Sequence, residues 1–332
     1  MPPTTQPVRV AIVGTGHVGS TFAYALLWSG IAAEIVLINR DRDEAEGEAM
    51  DLGHAVPFAP PTRVWAGTYA DCEAATVVVI TVGAAQGDAA SRLDLIERNG
   101  AIFREVVPEM ARHAPDAILL VATNPVDVLT LAALRLSGLP PGRVIGSGTV
   151  LDTARFRALL GRHLGVDPRS VDAQVIGEHG DSQVAIWSGA NVAGVGLVDV
   201  AAAQGVAHDR ATFADIARQT RTAAAAVADR KGATFYGVAA GLTRIVGAIV
   251  RDERTVLTVS SLVEGQGDLD GVCLSLPSIV GRHGIERVLR LAMSDDERSA
   301  LGRSAATLRE AVGRLDLSTV SGTGAGSTPG PA

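Results

Sequence analysis

The sequence predicts an α/β protein with a doubly wound parallel sheet, followed by a second, mixed α+β domain. Two observations carry this prediction. Short runs of branched apolar residues alternate with helix-like segments in the first half of the chain, and this alternation stops near residue 150. The length of 332 residues and a hydrophobic fraction of 47% are sufficient for two globular domains with a sizeable core.

The first predicted domain, residues 1–148, is built from repeated strand–helix units. Its strands are expected at 8–14, 34–39, 76–82 and 117–122, and its helices at 17–29, 43–53, 92–113 and 126–137. The strand segments are short and apolar, which is typical of strands that are buried on both faces. Alternation of this kind requires crossover connections, and these make the strands parallel.

The second predicted domain, residues 149–316, mixes helices and strands. We expect a helix at 151–164, a strand at 171–177, an alanine-rich helical stretch at 211–250, and strands at 255–263 and 271–276. Ser294 and Glu297 have the spacing of a capping box, so a closing helix should run from there to about 315. The tail 317–332 is rich in Gly, Ser, Thr and Pro and is expected to be disordered.

Composition and charge argue against several classes of function. A net charge of −7 disfavours non-specific binding to nucleic acid or to an anionic membrane. The cysteines Cys72 and Cys273 support neither a disulfide framework nor a cysteine zinc site, so we expect no metal and a cytoplasmic location. The N-terminus lacks the pattern of a secretion signal, and the apolar stretch 22–33 is interrupted by Ser29 and Gly30, so no membrane span is expected.

A glycine-rich loop, GTGHVG, closes the first predicted strand. Gly14, Gly16 and Gly19 permit a tight turn and a close approach of the backbone, and the next helix begins there with unpaired N–H groups. A simple strand–helix turn would have the same pattern, but the place of this loop in the first strand–helix unit favours a dinucleotide site of the Rossmann type. His17 and Val18 complete this predicted cofactor loop.

Asn39 and Arg40 follow the second predicted strand, where an NAD site usually has an acidic residue. The Asn39 amide removes the repulsion that a carboxylate exerts on the 2′-phosphate of NADP, and Arg40 can pair with that phosphate. Alternatively, Asn39 only replaces one hydrogen bond to the ribose and Arg40 points into water. NAD is therefore the predicted cofactor, and tolerance of NADP stays open.

A polar cluster around His179 follows the strand at 171–177, in the segment VIGEHGDSQV. A lone histidine is most often structural, but Asp152 and Arg155 share one face of a predicted helix. Asn124 follows a parallel strand at its carboxyl end, where such sheets bind ligands. Hydride transfer to a ketone needs a proton donor, a group that orients it, an electrophile on the oxygen and a clamp for the substrate carboxylate. These residue types can meet those needs.

From about residue 8 to 315 the chain resembles the L-lactate dehydrogenase branch of the lactate/malate dehydrogenase family. The resemblance rests on motifs in family order, namely GTGHVG, GAAQ, RLDLIERN, VATNPVDV, GSGTVLDTARFR, GEHGDS and KGATFYG. It implies reversible hydride transfer between NADH and pyruvate, giving L-lactate. Gly83 and Ala84 of GAAQ would then belong to the cofactor site.

The resemblance also implies catalytic roles. His179 would be the general acid/base that protonates the carbonyl oxygen as the hydride arrives. Asp152 would hold the imidazole ring and favour its charged form. Arg92 would move in with its loop and polarise the carbonyl.

Three further residues are implied to bind the substrate. Arg155 would grip the substrate carboxylate with two parallel hydrogen bonds, which a lysine could not reproduce. Asn124 would bond the reacting oxygen and the nicotinamide region of the cofactor, and Thr234 would border the substrate side chain.

Gln86 stands at the position that selects the substrate in this family, where glutamine resembles the pattern for pyruvate and arginine the pattern for oxaloacetate. A second carboxylate enclosed beside Gln86 would lack a cationic partner. However, Gly87 and Asp88 make the loop 86–92 depart from the family pattern, since they should raise the entropy cost of closure and repel anions. Weaker binding of pyruvate is therefore expected, and a malate or bulkier 2-hydroxy acid dehydrogenase is the alternative.

The resemblance raises two questions about regulation and assembly. Many bacterial members are activated by fructose 1,6-bisphosphate, which an arginine and a histidine bind at a subunit interface. Arg157 matches the arginine, but Asp172 replaces the histidine and would repel a phosphate, so no such activation is expected. A homotetramer is expected from the family.

An alternative from another class is a non-catalytic sensor of nicotinamide dinucleotides. The joint presence of Asp152, Arg155, His179, Asn124 and Arg92 argues against it, because a sensor would not require these residues together.

Overall fold

The computed structural model describes residues 7–84 and 92–315. The predicted site residue Gln86 and the tail 317–332 lie outside these ranges. Arg92 is the first residue of a helix, but its side chain also lies outside the description.

All strands and helices predicted for the first half are present, with their ends shifted by a few residues. The strands are β1 (Arg9–Val13), β2 (Glu34–Ile38), β3 (Arg63–Ala66), β4 (Ala75–Ile80), β5 (Ile118–Val121) and β6 (Val144–Gly146). The helices are α1 (His17–Ser29), α2 (Arg42–Ala55), α3 (Arg92–His113) and α4 (Val126–Ser137). Strands β3 and β6 were not predicted, because four and three residues are too few to show a pattern.

The second half contains more elements than the sequence indicated. They are α5 (Val150–Leu164), β7 (Val171–Ile176), β8 (Val184–Val192), β9 (Val195–Gly196), α6 (Leu197–Gln204), α7 (Arg210–Lys231), α8 (Tyr236–Val250), β10 (Thr255–Leu262), β11 (Cys273–Gly281), β12 (Gly284–Val288) and α9 (Asp295–Val312). The alanine-rich stretch is two helices, since Gly232 adopts a φ of 85° and ends α7. The strand predicted at 271–276 begins at Cys273 and continues to Gly281.

The main sheet has nine strands in the order β12-β11-β10-β6-β5-β4-β1-β2-β3. Strands β1 to β6 are parallel, whereas β10, β11 and β12 are antiparallel to their neighbours. The α/β class with a doubly wound parallel sheet and a second sheet, β7-β8-β9, is thus confirmed. Strands β10 and β11 of the second half extend this main sheet, because Ser260 of β10 pairs with Gly146 of β6. The domain boundary at 148/149 stays a prediction.

Helices cover both faces of the parallel part of the sheet. On one face α1 and α8 form a core with β1, β2 and β4, and on the other face α3 and α4 pack against the same strands. The carboxyl ends of β1, β4 and β5 therefore meet at one edge of the sheet, together with the loops that follow them. In the described part of the chain, no helix is long and apolar enough to cross a membrane.

Candidate active site

The glycine loop between β1 and α1 requires glycine at two positions. Gly14 has a φ of 105°, and a Cβ there would lie 2.6 Å from the main-chain nitrogen of Val82. A Cβ on Gly19 would collide with the carbonyl oxygen of Gly14. The loop is therefore held tightly against the end of β4, where Thr81 Oγ1 also donates a hydrogen bond to the Gly14 oxygen.

The same loop has the features that a pyrophosphate needs. Gly16 is the N-cap of α1, and no side chain caps the helix. A Cβ on Gly16 would meet no atom within 4 Å, so the backbone can be approached closely from that side. His17 and Val18 form the first turn of α1, where N–H groups lack intrahelical partners. These observations fit the dinucleotide that the sequence predicts.

At the end of β2, Asn39 Nδ2 donates a hydrogen bond of 2.7 Å to Thr15 Oγ1. This contact fixes the amide beside the glycine loop, and it leaves the Asn39 oxygen as an acceptor for a ribose hydroxyl. The next residue, Arg40, is exposed. The structure thus places Asn39 and Arg40 at the predicted edge of the cofactor loop.

Gly83 and Ala84 follow β4 and are held by Asn99, a buried residue of α3 that sequence analysis did not single out. Asn99 Oδ1 accepts a hydrogen bond from the Ala84 N–H, and its Nδ2 donates to the main-chain oxygen of Asn124, both at 2.7 Å. One amide thereby joins the segments after β4 and β5. The sequence indicated the role of Asn99 only weakly, by a neutral polar residue within an amphipathic helix.

A cluster of an aspartate, a histidine and an arginine is built on the first turn of α5. Asp152 is 3% exposed, and its two oxygens take different partners. Oδ2 lies 2.6 Å from His179 Nδ1, and Oδ1 accepts a hydrogen bond of 3.0 Å from Arg155 Nη1. With a proton on Nδ1 facing Asp152, the Nε2 atom of His179 is the ring nitrogen that can serve a substrate.

The electrostatics of this centre favour a charged histidine. Burial lowers the pKa of His179, but the charge and hydrogen bond of Asp152 outweigh burial and hold this pKa above its ordinary value. Burial also raises the pKa of Asp152, yet His179 and Arg155 together hold it below its ordinary value. Each partner therefore favours the charged form of the other.

A second carboxylate touches His179. Asp127, the second residue of α4, accepts a hydrogen bond of 2.7 Å from the His179 N–H through Oδ2. Sequence analysis did not select Asp127. The sequence offered one indication, a single carboxylate in the largely apolar helix VDVLTLAALRLS, which is buried over Val126–Ala133.

Thr234 lies in the corner between α7 and α8, next to an aromatic cluster. The Phe235 ring stacks on the His17 ring at 5.4 Å, and it also contacts the Tyr236 ring at 4.6 Å. Lys231 Nζ lies 3.4 Å from the centre of the Phe235 ring. This corner therefore contacts the first turn of α1 through Phe235 and His17, and the role of Thr234 stays a prediction.

The structure thus brings the predicted residues together in two groups. Asp152, Arg155 and His179 are in direct contact, while the glycine loop, Asn39, Ala84 and Asn124 lie at the ends of adjacent parallel strands. Among the residues that the structure describes, no group of three or more His, Cys, Asp or Glu side chains could hold a metal ion.

A doubly wound sheet with such a glycine loop, combined with a charged histidine held by a buried carboxylate, defines a dinucleotide-dependent oxidoreductase. Two family models narrow the class. Residues 8–146 match the NAD-binding domain of lactate/malate dehydrogenase, and residues 149–315 match the α/β C-terminal domain of the same family. The chain belongs to the lactate/malate dehydrogenase family, and the predicted NAD cofactor is confirmed.

Individual relatives agree with this assignment. The L-lactate dehydrogenase of Synechococcus sp. (strain JA-3-3Ab) is 51% identical over 305 residues, which are 92% of this chain and 98% of the relative. The L-lactate dehydrogenase of Thermus aquaticus is 50% identical over 308 residues, 93% of this chain and 99% of the relative. A crystal structure of the minor L-lactate dehydrogenase from Enterococcus mundtii in the ligands-bound form has a TM-score of 0.89 and 38% identity, covering 94% of this chain and 99% of that chain.

Proposed function

We propose that the protein is an NAD-dependent L-lactate dehydrogenase that reduces pyruvate to L-lactate and catalyses the reverse reaction. The observation that carries the proposal is the Asp152 carboxylate, which His179 and Arg155 share. This shared carboxylate supports the roles of His179 as proton donor and of Arg155 as the cation for the substrate carboxylate, because it holds the two side chains close together. The similarity to curated L-lactate dehydrogenases supports the same reaction.

In this mechanism the bound NADH supplies the hydride. His179 Nε2 gives its proton to the carbonyl oxygen of pyruvate, and the resulting neutral imidazole takes the proton back when lactate is oxidised. Asp152 stabilises the imidazolium before the transfer. Arg155 binds the pyruvate carboxylate, and Asn124 donates to the reacting oxygen. Arg92 polarises the carbonyl, and Thr234 borders the methyl group of pyruvate.

The first test measures initial rates of NADH oxidation with pyruvate and with oxaloacetate. Pyruvate should be the better substrate by orders of magnitude, since Gln86 offers no cation to the second carboxylate of oxaloacetate. The variant His179→Ala should lose turnover by about a thousandfold or more while it still binds NADH. Wild-type protein that reduces neither acid would contradict the proposal, and a bulkier 2-keto acid would then be the candidate substrate because of the altered loop 86–92.

We also propose that NADP is tolerated. The hydrogen bond from Asn39 to Thr15 places a neutral amide where a carboxylate would repel a 2′-phosphate, and Arg40 is exposed beside it. Rates with NADPH compared with NADH measure this tolerance. In the variant Asn39→Asp, activity with NADPH should fall more than activity with NADH.

Activation by fructose 1,6-bisphosphate is not expected. Arg157 Nε donates to the main-chain oxygen of Ala173, and Arg157 Nη2 lies 3.4 Å from Asp172 Oδ1. The arginine is thus paired with the acid that would repel the ligand. We further propose a homotetramer in the cytoplasm, with residues 1–148 as the cofactor domain and 149–316 as the substrate domain.

A further inference from the structure

Asp127 joins two parts of the site that are distant in sequence. It lies in the first turn of α4, three residues after Asn124, and it is 2% exposed. Its Oδ2 accepts the hydrogen bond from the main-chain N–H of His179, which is 52 positions away. The contact therefore links the segment after β5 to the loop that carries the proton donor.

A carboxylate is an unfavourable residue at this place unless it has a role. Among the described residues, Asp127 Oδ1 makes no hydrogen bond of good geometry, although the nearby Ser260 hydroxyl acts to lower the pKa of this carboxyl. Burial raises the pKa of Asp127 to about 6, and the nearby Glu178 acts in the same direction. An apolar residue of similar size would avoid this cost. The buried charge is accordingly better explained by the function of the loop that it holds than by packing.

The two residues that would bind the carbonyl oxygen, Asn124 and His179, are both connected to the hydrogen bond between Asp127 and the His179 N–H. Asn124 lies two residues before α4, separated from it by the N-cap Pro125, and its main-chain oxygen is held by Asn99. His179 is held at its side chain by Asp152 and at its main chain by Asp127. The separation between the Asn124 amide and the His179 ring thus depends on a hydrogen bond that Asp127 makes.

We propose that Asp127 is a positioning residue for proton transfer: it fixes the main chain of His179 relative to Asn124, so that both groups reach the same carbonyl oxygen. The inference rests on the proposed function, since it assumes that His179 protonates a bound keto acid. Asp127 itself does not touch the substrate, and its effect passes through His179.

The charge of Asp127 has a second effect on His179. Burial lowers the pKa of His179, Asp152 raises it most, Asp127 raises it further, and Arg155 lowers it. The titratable groups that face Asp127 itself are His179, Glu178 and Cys273. Loss of the Asp127 charge should therefore lower the pKa of His179. Pyruvate reduction needs protonated His179. The alkaline limb of the pH profile of kcat should therefore move to lower pH when the Asp127 charge is removed.

Two variants separate the hydrogen bond from the charge. Asp127→Asn keeps an oxygen acceptor for the His179 N–H but removes the charge, and Asp127→Ala removes both. The matched control is Asp116→Asn, which alters an aspartate whose side chain is 96% exposed. Steady-state rates of pyruvate reduction, the pH profile of kcat and the Kd of NADH are measured for all four proteins.

We expect kcat of Asp127→Ala to fall about a hundredfold, as misplacement by about an ångström does in other enzymes, with little change in the Kd of NADH. Asp127→Asn should lose less activity and show the shifted alkaline limb, while Asp116→Asn should behave like the wild type. The proposal would be overturned if the Asp127 variants had only a lower melting temperature, with kcat unchanged and with no shift in the alkaline limb of the pH profile of Asp127→Asn. If Asp127→Ala does not fold, the Asn variant alone decides.

A readout without substrate distinguishes this inference from the proposed function. The imidazole of His179 is titrated by NMR in the wild type and in Asp127→Asn, and its signal is identified by its loss in His179→Ala. If the wild type does not reduce pyruvate, the proposed function fails, but a lower imidazole pKa in the variant still supports the contact. An unchanged imidazole pKa together with unchanged kcat overturns the role of Asp127.

Discussion

Asp152 places two charged side chains at once, because each of its oxygens takes a different partner. The carboxylate lies between His179 and Arg155, and Arg155 is three residues further along the same helix. A helix fixes such a spacing better than a loop does. The direction of the Arg155 guanidinium is therefore set by an interaction inside the protein, before any substrate binds.

The planar guanidinium of Arg155 should be essential for substrate affinity. In the variant Arg155→Lys the charge remains, but the second parallel hydrogen bond to the substrate carboxylate is lost. We expect a loss of about 2 kcal/mol, or about thirtyfold in kcat/KM for pyruvate, mainly through a higher KM. Steady-state kinetics with pyruvate measure this effect.

Arg157→Lys is the control for this variant, since Arg157 lies two residues away on the same helix and pairs with Asp172 at the surface. It should leave KM unchanged. Equal KM values for Arg155→Lys and the wild type would show that Arg155 has only the structural role of holding Asp152.

At the scale of elements, α9 and β8 are joined by one side chain. Glu297 is 8% exposed and completes a capping box with Ser294, as the sequence predicted. Its Oε1 also accepts hydrogen bonds from the main-chain N–H groups of Trp187 and Ser188, at 2.7 and 3.1 Å. The cap of a helix thus serves as an attachment point for the second sheet.

Replacement of Glu297 should cost more than the loss of a cap alone. Glu297→Ala leaves two partly buried N–H groups of β8 without their acceptor, so we expect a loss of about 2 kcal/mol in the free energy of unfolding. Asp209→Ala is the matched control, because Asp209 caps α7 at the surface, where about 1 kcal/mol is expected. Urea denaturation at pH 7 measures both, and equal losses would contradict the attachment role.

The stabilisation by Glu297 should depend on pH in a defined direction. Burial raises the pKa of Glu297, but hydrogen bonds from Ser188, Ser294 and Trp187 outweigh it and hold the pKa below its ordinary value. The stabilisation is therefore present above the unfolded pKa and is lost as the pH falls through the folded pKa. The difference between wild type and Glu297→Gln should shrink below about pH 4.5.

Strands and helices could be predicted from the sequence where the hydrophobic pattern lies within a short segment of the chain. The apolar runs of β1, β4 and β5 were visible because these strands are buried on both faces. Strand β8 was missed, since VAIWSGANV is only partly buried and contains a glycine. The corner after Gly232 was missed although its signal was present, since a glycine that follows the basic residues Arg230 and Lys231 is a typical helix end.

The site could be predicted in part for the same reason. Asp152 and Arg155 share one helix face, so their proximity follows from spacing alone. Asp127 and Asn99 act through main-chain groups 52 and 25 positions away, and no spacing rule contains such contacts. The roles of Gln86 and Arg92 stay predictions, because their side chains lie outside the described residues.

At the scale of the whole molecule, the main sheet crosses the predicted domain boundary. Strand β10 pairs with β6 at Ser260 and Gly146, and β11 and β12 continue the sheet beyond it. The isolated bridge between Gly177 and Ser275 connects the end of β7 to β11 as well. The two halves of the chain therefore share backbone hydrogen bonds in addition to side-chain packing.

We expect the two halves to unfold in a single transition. Trp187 lies in β8 between Phe156 and Phe213, so in a Trp28→Phe, Trp65→Phe background its fluorescence reports on the second half alone. Its urea midpoint should coincide with that of far-UV circular dichroism at the same protein concentration. Two separate midpoints would show that the sheet junction does not couple the halves.

The aromatic corner beside Thr234 also has a consequence for protein chemistry. Lys231, which lies over Phe235 and Tyr236, is the only lysine in the sequence. Amine-reactive reagents therefore have one side-chain target, and it stands next to the cofactor loop. A dye attached there would report on the contact between Phe235 and His17, and, once the N-terminal amine is blocked, coupling to a solid support would attach each chain at the same point.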